Sequence, residues 1–176
     1  QMTYVEALKW LANKYNIEVR EREMSEEEKR EQNDRESMFI VNKWAMEYFN
    51  NILLNDVDGR AVGMQYFRSR GFRDDIIEKF HLGFALPSRN ALAQEALRKG
   101  FNEKYLIATG LCFKRDNGEL VDKYSGRVMF PWIGVNGNVR AFGGRLLDSR
   151  TKGVQQKYIN SSDSEIYHKE RELYGI

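Results

Sequence analysis

The sequence predicts an α+β fold, with N-terminal helices followed by a small, mainly antiparallel twisted sheet. Three observations lead there. Up to about Gly110 the apolar residues recur at helical spacing, in segments closed by glycine. After Gly110 the period changes to two. Two turn sequences, Arg115-Asp116-Asn117-Gly118 and one containing Asn136-Gly137, each sit between alternating runs, as hairpins do. Helices first and strands afterwards is the α+β order, and 176 residues suffice for one domain plus an appendage.

The elements follow in chain order. Residues 3–15 form an amphipathic helix: Thr3 and Glu6 make a capping box, and Val5, Leu8, Leu11, Ala12 and Tyr15 share a stripe. Residues 18–36 carry nine acidic and five basic side chains. That run is either a linker or the solvated start of a long helix, and Ser25 with Glu28 repeats the capping pattern. From Met38 a second stripe, Val41, Ala45, Tyr48, Phe49 and Ile52, predicts a core-facing helix to about Leu54. Short helices are expected at 60–70, 74–80, 90–99 and 102–109. Asp74 and Asp75 suit the first turn of theirs, where the helix dipole favours negative charge. A strand is expected within 81–86, before Pro87. Two hairpins follow, with strands at 111–114 and 119–121, then 127–132 and 138–145. The tail from Ser161 to Tyr174 reads as a loop leading into a short helical turn.

Composition excludes several classes. No apolar run approaches the roughly 20 residues that span a bilayer, and Glu6, Lys9 and Lys14 interrupt any signal-peptide pattern in the first 20 residues. Cys112 is the sole cysteine, so no internal disulfide can form. With only His81 and His168 beside it, no Cys/His zinc cluster can form either. Cys112 lies between Leu111 and Phe113 and reads as a packing residue, in a reducing compartment, the cytoplasm. The net charge of +2 hides a segregation. Residues 18–36 balance to −4. Residues 140–157 hold Arg140, Arg145, Arg150, Lys152 and Lys157 against Asp148 alone, a balance of +4. A local basic patch of this kind predicts either an anionic partner or simply a solvated face.

The residues with chemistry cluster in that patch. Along Val139-Arg140-Ala141-Phe142-Gly143-Gly144-Arg145, strand alternation puts Gly143 and Arg145 on one face. Gly143 marks either a bulge or a close approach by a ligand or another backbone. Lys157, Tyr158 and Asn160 bring a cation, an aromatic plane and an amide within four residues. Single-stranded nucleic acid needs those parts for phosphate, base face and base edge; an ordinary strand edge can also carry them.

Four ordered motifs resemble the bacterial DnaG-type primase family. They are Tyr124-Ser125-Gly126-Arg127-Val128-Met129-Phe130-Pro131, then Val139 to Arg145, then Lys157-Tyr158-Ile159-Asn160-Ser161, and finally Ile166-Tyr167-His168-Lys169-Glu170-Arg171-Glu172-Leu173-Tyr174-Gly175. Upstream, Tyr66 to Phe72 and Phe80 to Ala85 are similar to the family's preceding segment. The resemblance implies that residues 1–20 are the end of a zinc-binding domain without its metal ligands. Residues 21–36 would be a charged linker or helix start, and residues 37–176 the N-terminal subdomain of the RNA polymerase core.

By the same resemblance, Arg70, Arg145, Lys157 and Lys169 are expected on phosphates, with Tyr158 and Asn160 placing base or ribose. Glu170 stands where the family has glycine, and Gln156 where proline is common. The implied function is part of a DNA primase, binding single-stranded DNA template and contributing to the nucleotide site. Ribonucleotides and an RNA primer are its other implied ligands. A replicative helicase and a single-strand-binding protein are implied partners of the full-length protein, and no membrane is. The family's catalytic carboxylates follow the Leu-Tyr-Gly motif. No catalytic residue and no metal ligand is therefore expected within this chain, which alone should not polymerise RNA. Mg²⁺ or Mn²⁺ and Zn²⁺ are implied for the full-length protein only. Two competing expectations remain: a docking module for a replicative helicase or other replisome partner, and an alarmone in the same cationic pocket.

Overall fold

The computed structural model describes residues 3–147 and 156–168, with backbone only for 19–24. Two compact units divide at Glu36 and Ser37. The first consists of helix: α1 is assigned over Tyr4–Asn55, so the charged run 18–36 is helical and does not separate two helices. The capping box forms as the spacing predicts. Thr3 N donates to Glu6 Oε2 at 2.9 Å and Glu6 N to Thr3 Oγ1 at 3.3 Å. Ser25 and Glu28 fall in the helix interior, where their capping pattern has no terminus to serve.

In the second unit, the last turns of α1 bury Met38, Val41, Ala45, Phe49 and Leu53, an i, i+3, i+4 stripe. The expected helix at 60–70 is in fact two pieces. A π-helical turn over Gly59–Met64 leads into α2, Gln65–Ser69. The register begins to change where Asp56 Oδ2 accepts from the amides of Asp58 and Gly59 at 2.9 and 3.0 Å. Helix α3 is Asp74–Lys79, with both aspartates in its first turn. The strand expected within 81–86 shortens to β1, Gly83–Phe84. There β1 passes close to α1: a Cβ on Gly83 would meet Phe49 Cβ at 2.5 Å. Helices α4, Ala91–Arg98, and α5, Glu103–Ala108, follow.

Both expected hairpins form. Strands β2, Cys112–Lys114, and β3, Leu120–Asp122, make a two-stranded sheet. Strands β4, Arg127–Ile133, and β5, Val139–Leu146, pair antiparallel, with a register shift at Trp132/Ile133. The turns share one design. Gly118 N bonds Arg115 O and Gly137 N bonds Gly134 O, with φ of +84° and +80° at the two glycines, the left-handed position of a three-residue hairpin loop. Strand β6, Tyr158–Asn160, completes a four-stranded sheet of order β1-β4-β5-β6.

Two apolar clusters cover the larger sheet. One joins Val41, Ala45 and Phe49 of α1 with Ala96, Leu106, Met129 and Phe142. The other joins Leu53, Phe67, Ile77, Phe84 and Val128. Among the described residues no helix is long and apolar enough to cross a membrane.

Candidate nucleic-acid interface

Antiparallel register aligns two rows across the sheet: Val128, Arg145 and Tyr158, then Phe130, Gly143 and Asn160. Directly opposed residues share a face. Arg145 and Tyr158, thirteen positions apart in sequence, are therefore neighbours. Arg145 Nε donates to the Tyr158 hydroxyl at 3.0 Å. The Arg145 guanidinium lies 5.5 Å from the Tyr158 ring centre and 4.8 Å from that of Tyr66 on α2. Arg70, at the C-terminal end of α2, lies 5.4 Å from the same Tyr66 ring, and Lys157 Nζ lies 5.9 Å from Tyr158.

The result is an alternating stack of cations and aromatic rings, in which each guanidinium is drawn to the negative face of a ring. Its electrostatics register on Tyr158. The hydrogen bond from Arg145, then the charges of Arg145, Lys157 and Arg70, hold its phenol below the ordinary tyrosine value. Arg145 is buried, whereas Arg70, Lys157, Tyr158 and Asn160 are exposed.

Two residues that the sequence showed only as members of motifs, Arg127 and Ser161, hold this edge together. Arg127 is buried, and among the described residues its guanidinium bonds only main-chain carbonyls: Gly144 at 3.4 Å, Lys157 at 3.0 Å and Gln156 at 2.7 Å. Among the described residues it has no carboxylate partner. Burial draws its pKa down from the ordinary arginine value, but arginine remains protonated in proteins. The carbonyl of Gln156 is thus held by a buried side chain.

At the other end of β6, Ser161 Oγ accepts from Phe142 N at 2.9 Å and lies 2.9 Å from the Tyr124 hydroxyl. Burial pushes the Tyr124 phenol up to about 12, so it stays a neutral partner. Lys123 Nζ donates to the Asn160 carbonyl at 3.1 Å. The sequence named Arg70, Arg145, Lys157, Tyr158 and Asn160, and all five fall in this region. Lys169 lies outside the described residues. Tyr66 was legible only as part of a motif, and its place between two arginines is a tertiary fact.

Among the described residues no group of three or more His, Cys, Asp or Glu could hold a metal ion. Cys112 is buried beside Asp122, and burial, more than the neighbouring carboxylate, raises its thiol pKa, the state of an inert packing cysteine.

Fold and cluster define an α+β domain whose sheet edge gathers cations and aromatic rings. The chain belongs to the family described as DNA primase catalytic core, N-terminal domain, whose profile matches residues 48–176. It is 34% identical over 175 residues to the DNA primase of Halalkalibacterium halodurans, covering 99% of this chain and 28% of that relative. With the DNA primase of Escherichia coli K12 it shares 31% over 176 residues, the whole of this chain and 29% of that relative. The fold is similar to a DnaG primase catalytic domain bound to single-stranded DNA, with a TM-score of 0.71 and 29% identity over 80% of this chain and 43% of that one. It is also similar to the E. coli primase catalytic core, with a TM-score of 0.65 and 31% identity over 76% of this chain and 41% of that one. The chain therefore spans well under half the length of these relatives.

Proposed function

We propose that this chain is the template-binding part of the RNA-synthesising core of a DNA primase, a DNA-directed RNA polymerase that makes short primers for replication. One observation carries the reading: Arg70, Arg145 and Lys157 converge on Tyr158 at an exposed sheet edge. Cations satisfy phosphates and a ring stacks on a base, the two requirements of single-strand binding. A similar catalytic domain has been solved with single-stranded DNA, and a Mycobacterium tuberculosis one with duplex DNA bearing a six-nucleotide overhang, which supports the same partner here.

In this reading the chain also contributes to the site of the incoming ribonucleotide, and the chain alone binds template without polymerising. The parent acts in the cytoplasm with Mg²⁺ or Mn²⁺, Zn²⁺, a replicative helicase and a single-strand-binding protein. The competing reading, a docking module, draws support from the exposed Val5, Leu8, Leu11 and Tyr15 stripe of the first unit.

Salt separates the two. Anisotropy of a labelled single-stranded oligonucleotide should show affinity falling steeply between about 50 and 200 mM salt, because phosphate contacts release counterions. Lys157→Ala should weaken binding to every sequence and reduce the salt slope by about one. Binding indifferent to salt and to Lys157→Ala would leave the docking reading in its place.

A further inference from the structure

The sheet face that carries Tyr158 and Asn160 is only partly covered. The second apolar cluster covers it at Phe84 and Val128. Beyond them the face opens into a groove of about 690 Å³. Phe130 and Trp132 of β4 line it, together with Tyr158 and Asn160 of β6 and Phe80 just past α3. Its floor includes the bare backbone of Gly143, where a Cβ would meet Asn160 Oδ1 at 3.2 Å. Lys79 stands at the rim, its Nζ 5.7 Å from the Phe80 ring centre. No acidic side chain lines the groove among the described residues.

Each feature has a chemical meaning. Phe80 and Tyr158 are 51% and 64% exposed, large rings held substantially in water. The bare backbone of Gly143 leaves room for the Asn160 amide to lie over the sheet. An amide offers both a donor and an acceptor to a polar edge. Cations without opposing carboxylates favour an anion. A planar, apolar group with a polar edge and a negative charge attached is a nucleobase on its sugar-phosphate chain.

We propose that this groove is a subsite for one unstacked base of a single DNA strand. Asn160 meets the polar edge of the base, and Lys79 and Lys157 meet the phosphates on either side. Lys79, the last residue of α3, lines the groove, and Lys157, just before β6, lies 5.9 Å from the Tyr158 ring that also lines it; two cations from separate segments suit a base with phosphate both before and after it. A free nucleotide carries its phosphates on one side only. The inference rests on the template-binding reading, and it adds Phe80, Phe130, Trp132 and Lys79 to that site.

The test compares oligonucleotide binding to the chain and to its Phe80→Ala, Lys79→Ala and Lys157→Ala variants, with melting midpoints as controls. Phe80 is half in solvent, so its removal should leave the fold intact. Loss of one stacked base should weaken Phe80→Ala by about tenfold with the salt slope unchanged. Lys79→Ala should lower the slope by about one. An oligonucleotide of abasic sites should bind the chain and Phe80→Ala alike. If Lys157→Ala loses affinity while Phe80→Ala and Lys79→Ala bind normally, the groove is not a base subsite although the template reading stands. If all three bind like the parent, the template reading itself fails. If a ribonucleoside triphosphate alone shows the same dependence on Phe80 as the strand does, the occupant is the incoming nucleotide and the proposal is overturned.

Discussion

The guanidinium of Arg127 donates to the carbonyl of Lys157 across 3.0 Å, thirty residues away in sequence. It fixes the backbone of a phosphate-binding candidate without touching its side chain. A buried cation bonded only to carbonyls leaves those carbonyls unsatisfied if it is removed. Arg127→Met should therefore cost about 2–4 kcal/mol of stability, measured by urea unfolding. It should also weaken oligonucleotide binding in step with Lys157→Ala. Arg127→Met combined with Lys157→Ala should bind no worse than the weaker single variant. Additive losses would show that Arg127 supports the fold without orienting Lys157.

Tyr158 should titrate below the ordinary tyrosine range, because Arg145 bonds its oxygen and three cations surround it. Carbon-13 resonances of ring-labelled tyrosine followed against pH would show it, and Arg145→Met should move the titration upward. The depressed folded value adds stability only above the unfolded tyrosine pKa, and that stability is lost as pH falls through the folded one. Any destabilisation of Arg145→Met that persists as pH falls should come from lost packing and hydrogen bonding.

Helix α4 takes its cap from a distant strand. Its N-terminal residue Asn90 makes no side-chain capping bond, while Asp122 of β3 accepts from Leu92 N at 2.8 Å and Ala93 N at 2.9 Å. Burial raises the Asp122 pKa and these two bonds oppose the rise. Asp122→Ala should lose both caps and about 1–2 kcal/mol of stability, read from the denaturation midpoint. An unchanged midpoint would mean that water replaces the carboxylate without cost.

Phe142 is buried, edge-on to Phe49 at 5.7 Å and tilted to Tyr124 at 6.3 Å. Phe142→Ala should destabilise by about 3–5 kcal/mol. Thermal unfolding checks this, and a small shift would show that the sheet collapses into the space.

Much of this was legible before any coordinates. The stripe Met38, Val41, Ala45 and Phe49 is periodic because one helix face meets the core, so spacing alone located it, although its last turn buries Leu53 and leaves the expected Tyr48 and Ile52 only partly covered. The two hairpins were legible because a left-handed glycine is needed at Gly118 and Gly137. The helix expected at 60–70 was misread, because apolar spacing does not distinguish a π turn from an α one. The Asp56 side chain that bonds the amides of Asp58 and Gly59 leaves no periodic trace. The charged run 18–36 was ambiguous because good helix formers are also good linker residues.

The sequence by itself determined the α+β order, the hairpin turns, the core-facing stripe and the residue types available to bind an anion. It could do so because these depend on local backbone preference and on period. Only the tertiary structure decided that Tyr66 would lie between Arg70 and Arg145. The same holds for Arg127 clasping the backbone at Gln156 and Lys157, and for Asp122 capping α4. Those contacts join residues far apart in the chain, through strand register and burial. A buried polar group must find partners wherever the fold brings them, and no local pattern says where that will be.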